Sequence, residues 1–92
     1  MKRIDFDPEL LELIRLLPRD RRHAIGEAIA ATQEAFGQPH QHTGVGLRKL
    51  SGQYYEIRMG LDQRLVFEEI DDALYFQMIG NHNDVKRFLK SH

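Results

Sequence analysis

The spacing of apolar positions changes period part-way along the chain: about 3.6 residues in the first forty, about two from Leu47 onward. At the start, Lys2 to Phe6 alternates with Ile4 and Phe6 on one side, which reads as a strand, at an edge or in the centre of a sheet. Asp7-Pro8 then has the form of a helix N-cap followed by proline in the first turn, where a missing N–H costs nothing. Leu10, Leu11, Ile14 and Leu17 recur at helical spacing, predicting a helix over residues 8–17 that Pro18 ends. Asp20 is placed to cap a second helix over 20–36, with Ala24, Ile25, Ala28, Ile29, Ala35 and Phe36 as its buried stripe. Gly37 and Pro39 stop it. So short a turn folds the two helices into an antiparallel or obliquely crossed hairpin.

Residues 37–46, rich in Gly, Gln and His, read as an exposed loop. Strands are predicted over 47–50, 53–59, 63–70 and 73–79, separated by Ser51-Gly52, Gly60-Leu61-Asp62 and Asp71-Asp72. Turns this short make consecutive strands antiparallel. Alternation sends Leu65, Phe67, Leu74, Phe76 and Met78 to one face, and Arg64, Val66 and Glu68 to the other. Asn83 or Asp84 can cap a last helical turn or two, docked by Val85, Phe88 and Leu89. The expected fold is therefore α+β: a helix hairpin on one face of a small antiparallel sheet, the other face open, and a short C-terminal helix. With no internal repeat or linker, residues 1–92 read as a single domain.

Composition narrows the chemistry. No apolar run approaches the ~20 residues of a membrane span, and Met1-Lys2-Arg3-Ile4-Asp5 does not open a secretion signal. The chain has no cysteine, which removes disulfides and thiolate metal sites and points to a reducing cytoplasm. Thirteen Lys and Arg against 14 Asp and Glu give a net charge of -1, without the basic excess of a nonspecific nucleic-acid binder. If phosphate is the target, the positive charge is local to one face.

One such face is suggested. Arg58 and Arg64 lie on adjacent strands joined by a tight turn, and guanidinium groups hold phosphate bidentately. Ion pairs with Glu56, Glu68 and Glu69 are the competing reading, and strand pattern alone favours them. His82 follows the last strand and is either a proton donor or acceptor near neutral pH or a helix-entry residue. Of Arg48 and Lys49, alternation sends only one to the open face. Tyr54, Tyr55 and Tyr75 are packing residues or base-stacking platforms. His40 and His42 have metal-like spacing but no carboxylate or cysteine nearby completes a metal site. Arg19, Arg21 and Arg22 cluster at the helix turn, solvated or as a secondary RNA contact. There is no Gly-rich phosphate loop and no nucleotide fingerprint.

Taken in order, Leu50-Ser51-Gly52, Tyr54-Tyr55, Arg58, Arg64-Leu65-Val66-Phe67 and Gly80-Asn81-His82-Asn83-Asp84-Val85 resemble the RelE/ParE superfamily of type II toxins, as does the Asp-Pro start with its helix hairpin. The resemblance covers nearly the whole chain. It implies a metal-independent, cofactor-free endoribonuclease that cuts messenger RNA, usually on the ribosome, and a cognate antitoxin partner. It implies Arg64 as the group stabilising the phosphorane, His82 as general acid, Lys49 or Arg48 as the basic position before the Ser-Gly turn, and Arg58 as a phosphate contact. Arg48, Tyr54 and Asn83 then fall among the substrate contacts. Branches with the late histidine often carry a glutamate base before the second strand. Here Gly44-Val45-Gly46 offers no carboxylate, and His42 is the nearest substitute. The alternative class is a ParE-like gyrase-binding toxin or an inactive binding relative; the missing carboxylate favours it, whereas Arg64 with His82 on one face favours the nuclease.

Overall fold

The structure, a computed structural model, describes Met1 to His92, the side chains of Pro39 and Thr43 apart. Five strands form one sheet in the order β1-β5-β4-β3-β2: β1 Arg3–Phe6, β2 Leu47–Lys49, β3 Tyr54–Met59, β4 Gln63–Ile70 and β5 Ala73–Gly80. β2 to β5 pair antiparallel in succession, as their short turns require, while β1 adds to β5 in parallel. The sheet is thus mixed, because β1 and β5 are joined through the rest of the chain and no tight turn fixes their direction. Among the described residues no helix is long and apolar enough to cross a membrane.

α1 (Pro8–Arg15) and α2 (Arg19–Ala35) pack on one face. The Asp7 carboxylate caps α1 by accepting the N–H groups of Glu9 and Leu10 at 3.0 and 3.2 Å. α2 starts one residue earlier than its sequence suggests, with Pro18 at the N-cap, so Asp20 is a first-turn acid and not the cap. Its buried stripe is Ile25, Ile29, Thr32 and Ala35, whereas Ala24 is exposed. Thr32 can be buried because its hydroxyl donates to the Ala28 carbonyl at 2.8 Å. These side chains close over Leu47, Ile57, Leu65, Phe67, Leu74 and Phe76, with Phe36 edge-on to Tyr55 and Phe67. Residues 39–45 are not an open loop. They form a helical turn, α3 (Pro39–His42), and a 3-10 turn.

A bulge in β5 resets which side chains face the helices at its far end. Val66 pairs with Met78 but Phe67 pairs with Phe76, so Gln77 is an extra residue between them. The insertion reverses alternation beyond it. Ile79, paired with Leu65, joins the helix-covered core, and Met78 turns to the opposite face, contrary to the simple period-two expectation. Gly80 is thereby set beside Arg64.

The C-terminal helix α4 (His82–Lys90) begins there. Its cap is Asn81, neither Asn83 nor Asp84: the Asn81 side chain accepts the Asp84 N–H and the Asp84 carboxylate accepts the Asn81 N–H, both at 2.8 Å. Val85 is buried and Phe88 meets Tyr54 edge-on, so α4 covers part of the face opposite α1 and α2. Val66, fully buried in the middle of that face, explains the need for an apolar cover. Only the remainder of the face stays open.

A Cβ on Gly80 would stand 2.6 Å from the Asp84 carboxylate, inside any tolerable contact. Gly80→Ala is therefore expected to break the capping box and displace the first turn of α4, at a cost of about 1–2 kcal/mol. Urea denaturation checks the loss, and an unchanged midpoint would mean that the turn absorbs the methyl group freely.

Candidate active site

A cleft of ≈ 310 Å³ opens where the N-terminus of α4 meets the ends of β2, β3 and β4. Its walls are Gly46, Leu47, Arg48, Glu56, Arg58, Arg64 and His82. Strand parity explains the convergence. Tyr55 and Ile57 point to the core, so Glu56 and Arg58 point the other way. Arg48 pairs with Glu56, and Arg64 pairs with both Arg58 and Gly80, which places all of them on one face. Gly46, at φ +74°, lets the chain enter β2 beneath Arg58: its carbonyl accepts the Arg58 N–H at 3.0 Å, and a Cβ would come 2.9 Å from the Arg58 carbonyl oxygen.

The cations are held differently. Arg64 is 16% exposed and its Nη1 donates to Glu56 Oε2 at 2.8 Å. Arg48 Nη2 lies 3.3 Å from the same oxygen, with its own side chain largely in solvent. Arg58 is exposed and makes no ion pair among the described residues. His82 is exposed at the first position of α4. Glu56, only 2% exposed, is the sole acid in the cleft wall among the described residues. Of the two arginines for which an ion pair is the competing reading, Arg64 makes one, buried rather than on the surface, and Arg58 makes none among the described residues.

Four of the other candidates lie outside the cleft wall. Lys49 pairs with Tyr55 and sits with its Nζ 6.0 Å from that ring, and Tyr55 stacks on Phe67 of the core. It is Arg48, not Lys49, that faces the cleft. Tyr54 shares the face of Glu56 but lies under α4 against Phe88, and burial together with Glu68 raises its phenol above the usual tyrosine range. Asn83 is exposed in the first turn of α4, outside the cleft wall. His42 stacks on Phe36, ring centroids 6.2 Å apart, on the helix-covered side, so it cannot replace a base in the cleft. Among the described residues no three His, Asp or Glu side chains gather as metal ligands.

Sequence reasoning offers Glu56 as a surface ion-pair partner of Arg58 or Arg64, with Glu68 and Glu69 as equals, and not as a buried wall of the site. Its signal was available: an acid on the polar parity of β3, opposite Arg48 and diagonal to Arg64, between two core residues.

No protein-family model and no curated protein sequence matches the chain. Solved structures do. The intact RelBE toxin–antitoxin complex of E. coli is 22% identical, with 88% of this chain and 96% of that one covered, at a TM-score of 0.67. The isolated E. coli RelE toxin is 16% identical, covered end to end in both chains, at 0.68. The YoeB–YefM complex of Staphylococcus aureus is 20% identical over 89% and 98%, at 0.61. The chain has the RelE/ParE toxin fold. On that fold the cationic cleft occupies the sheet face opposite the α1–α2 pair, shielded on one flank by α4.

Proposed function

We propose that this chain is a type II toxin: an endoribonuclease that cuts messenger RNA, on the ribosome, and is neutralised by a cognate antitoxin. The observation that carries the reading is the meeting of three arginines and one histidine around a single cleft in a chain whose net charge is only -1. The ribose 2′-hydroxyl gives up its proton to water as its oxygen bonds to the adjacent phosphorus, the bond to the 5′-oxygen breaks, and the products are a 2′,3′-cyclic phosphate and a 5′-hydroxyl. Charge accumulates on the non-bridging oxygens, which Arg64 and Arg58 are placed to receive. The departing 5′-oxygen needs a proton, which His82 is suited to supply. Guanidinium groups take the role that a metal ion plays elsewhere, and no cofactor enters the scheme.

Local positive potential on a chain of net charge -1 suits an antitoxin that lays a short acidic or amphipathic segment over the cleft. The second reading, a gyrase-directed or inactive binding relative, draws support from Glu56, whose ion pair occupies the Arg64 guanidinium. Expression of the chain alone is expected to arrest translation, and primer extension on messenger RNA to show cuts that persist in EDTA. Growth arrest with intact RNA and broken DNA would decide for the gyrase reading. A complete lack of effect would decide for the inactive relative.

A further inference from the structure

Glu56 is placed in a way that a spare surface carboxylate is not. Its Oε2 receives Arg64 and faces Arg48, while its Oε1 is shut off from solvent without a partner among the described residues. Leaving one oxygen of a buried carboxylate unsatisfied is destabilising. Such an arrangement persists where something other than stability depends on it.

Proton abstraction is not that role. One oxygen is closed to solvent and the other is taken by guanidinium groups, so a ribose hydroxyl has no route to either. The consequence for Arg64 is more direct. Its Nε is also buried without a partner, and its bond to Glu56 is the one that fixes its head group among the described residues. Glu56 acts on charge as well. Arg48, Arg58 and Arg64 set against Glu56 give three positive charges less one, a net of two before His82 is counted. A phosphate entering the cleft therefore meets a weaker resting attraction than the arginines alone would give, but a better-fixed Arg64.

We infer that Glu56 is a positioning residue: it holds the Arg64 guanidinium in place for the scissile phosphate and keeps the cleft's resting affinity for phosphate low. The inference rests on the ribonuclease reading and names a residue of that site. Preorganisation of this kind favours the chemical step over binding, because an unanchored arginine must be ordered as charge develops.

Glu56→Gln preserves shape and removes the charge. An RNA with a 2′-deoxy residue at the cut site cannot react and reports binding alone. The variant is expected to bind it about three- to tenfold more tightly at low salt, from loss of one nearby negative charge. Single-turnover cleavage of the all-ribose RNA is expected to slow by roughly 10- to 100-fold, from loss of orientation. Glu68→Gln, on the same face but outside the cleft wall, should change neither. A purely structural role would weaken binding and cleavage together, and full-rate cleavage would overturn the inference outright.

A second arm needs no catalysis. Inorganic phosphate is titrated into both proteins while the Arg64 Nε–H resonance is followed by NMR. The resonance should be sharp in the parent and broadened in Glu56→Gln, with tighter phosphate binding in the variant. Equal sharpness, or unchanged phosphate affinity, overturns the inference whether or not RNA is cut. If these changes appear in a parent protein that leaves RNA intact, the positioning geometry stands and the ribonuclease reading falls.

Discussion

Arg64→Ala is expected to lower the single-turnover rate of RNA cleavage by about 10²- to 10³-fold, the scale of removing one preorganised donor from a developing oxyanion. The side chain reaches the cleft from the central strand pair, is mostly buried, and is anchored by Glu56 at 2.8 Å. Those features mean its charge is available without reordering when the phosphorane forms. The substitution also strips Glu56 of its closest partner. Removing one member of a buried pair costs about 3–5 kcal/mol, and the remaining Arg48 contact should reduce that toward the lower figure. A domain of this size has roughly 5–15 kcal/mol in total, so thermal melts must accompany the rates. Arg64→Lys separates the two effects. It keeps a positive charge beside Glu56 and should keep the fold, yet it loses the planar fork and should remain well below the parent rate. Cleavage by Arg64→Lys at the parent rate would mean that Arg64 supplies charge balance for Glu56 and nothing to the reaction.

Much of the fold could be read from local patterns, and the parts that could not share a cause. The Asp7-Pro8 helix start, the helix stripe around Ile25 and Ile29, and the four consecutive strands each depend on neighbours within a few residues. The parallel pairing of β1 with β5 depends on residues about seventy apart, which no local signal specifies. The bulge at Gln77 is silent because Met78 and Ile79 are both apolar, and either satisfies the pattern on either face. Register then decides the site. Pairing with Glu56 selects Arg48 for the cleft and sends Lys49 to the Tyr55 ring, a choice that the adjacent basic residues leave open in sequence. The gathering of Arg58, Arg64 and His82 follows from alternation and from where the last strand stops. Glu56 is legible in sequence only as one of three possible ion-pair partners: a glutamate in an alternating strand is ordinarily a solvated residue, and its burial between two arginines is set by register.

His82→Ala carries the largest expected effect, a fall in cleavage of about 10²- to 10⁴-fold, the range for removing a general acid. Its position argues for the role. The Asn81–Asp84 capping box fixes the first turn of α4, so an exposed imidazole stands at the rim of the cleft on a rigid element. Being exposed, it contributes little to packing, and the alanine variant should fold and melt like the parent. The leaving group distinguishes proton donation from a binding contact. A substrate whose scissile 5′-oxygen is replaced by sulfur releases a thiolate, which departs without a proton. On that substrate parent and His82→Ala should cleave at nearly equal rates, whereas Arg64→Ala should remain slow because charge on the phosphorane still needs its donor. A His82→Ala deficit that survives sulfur substitution would assign the histidine to phosphate binding and leave the proton to another group.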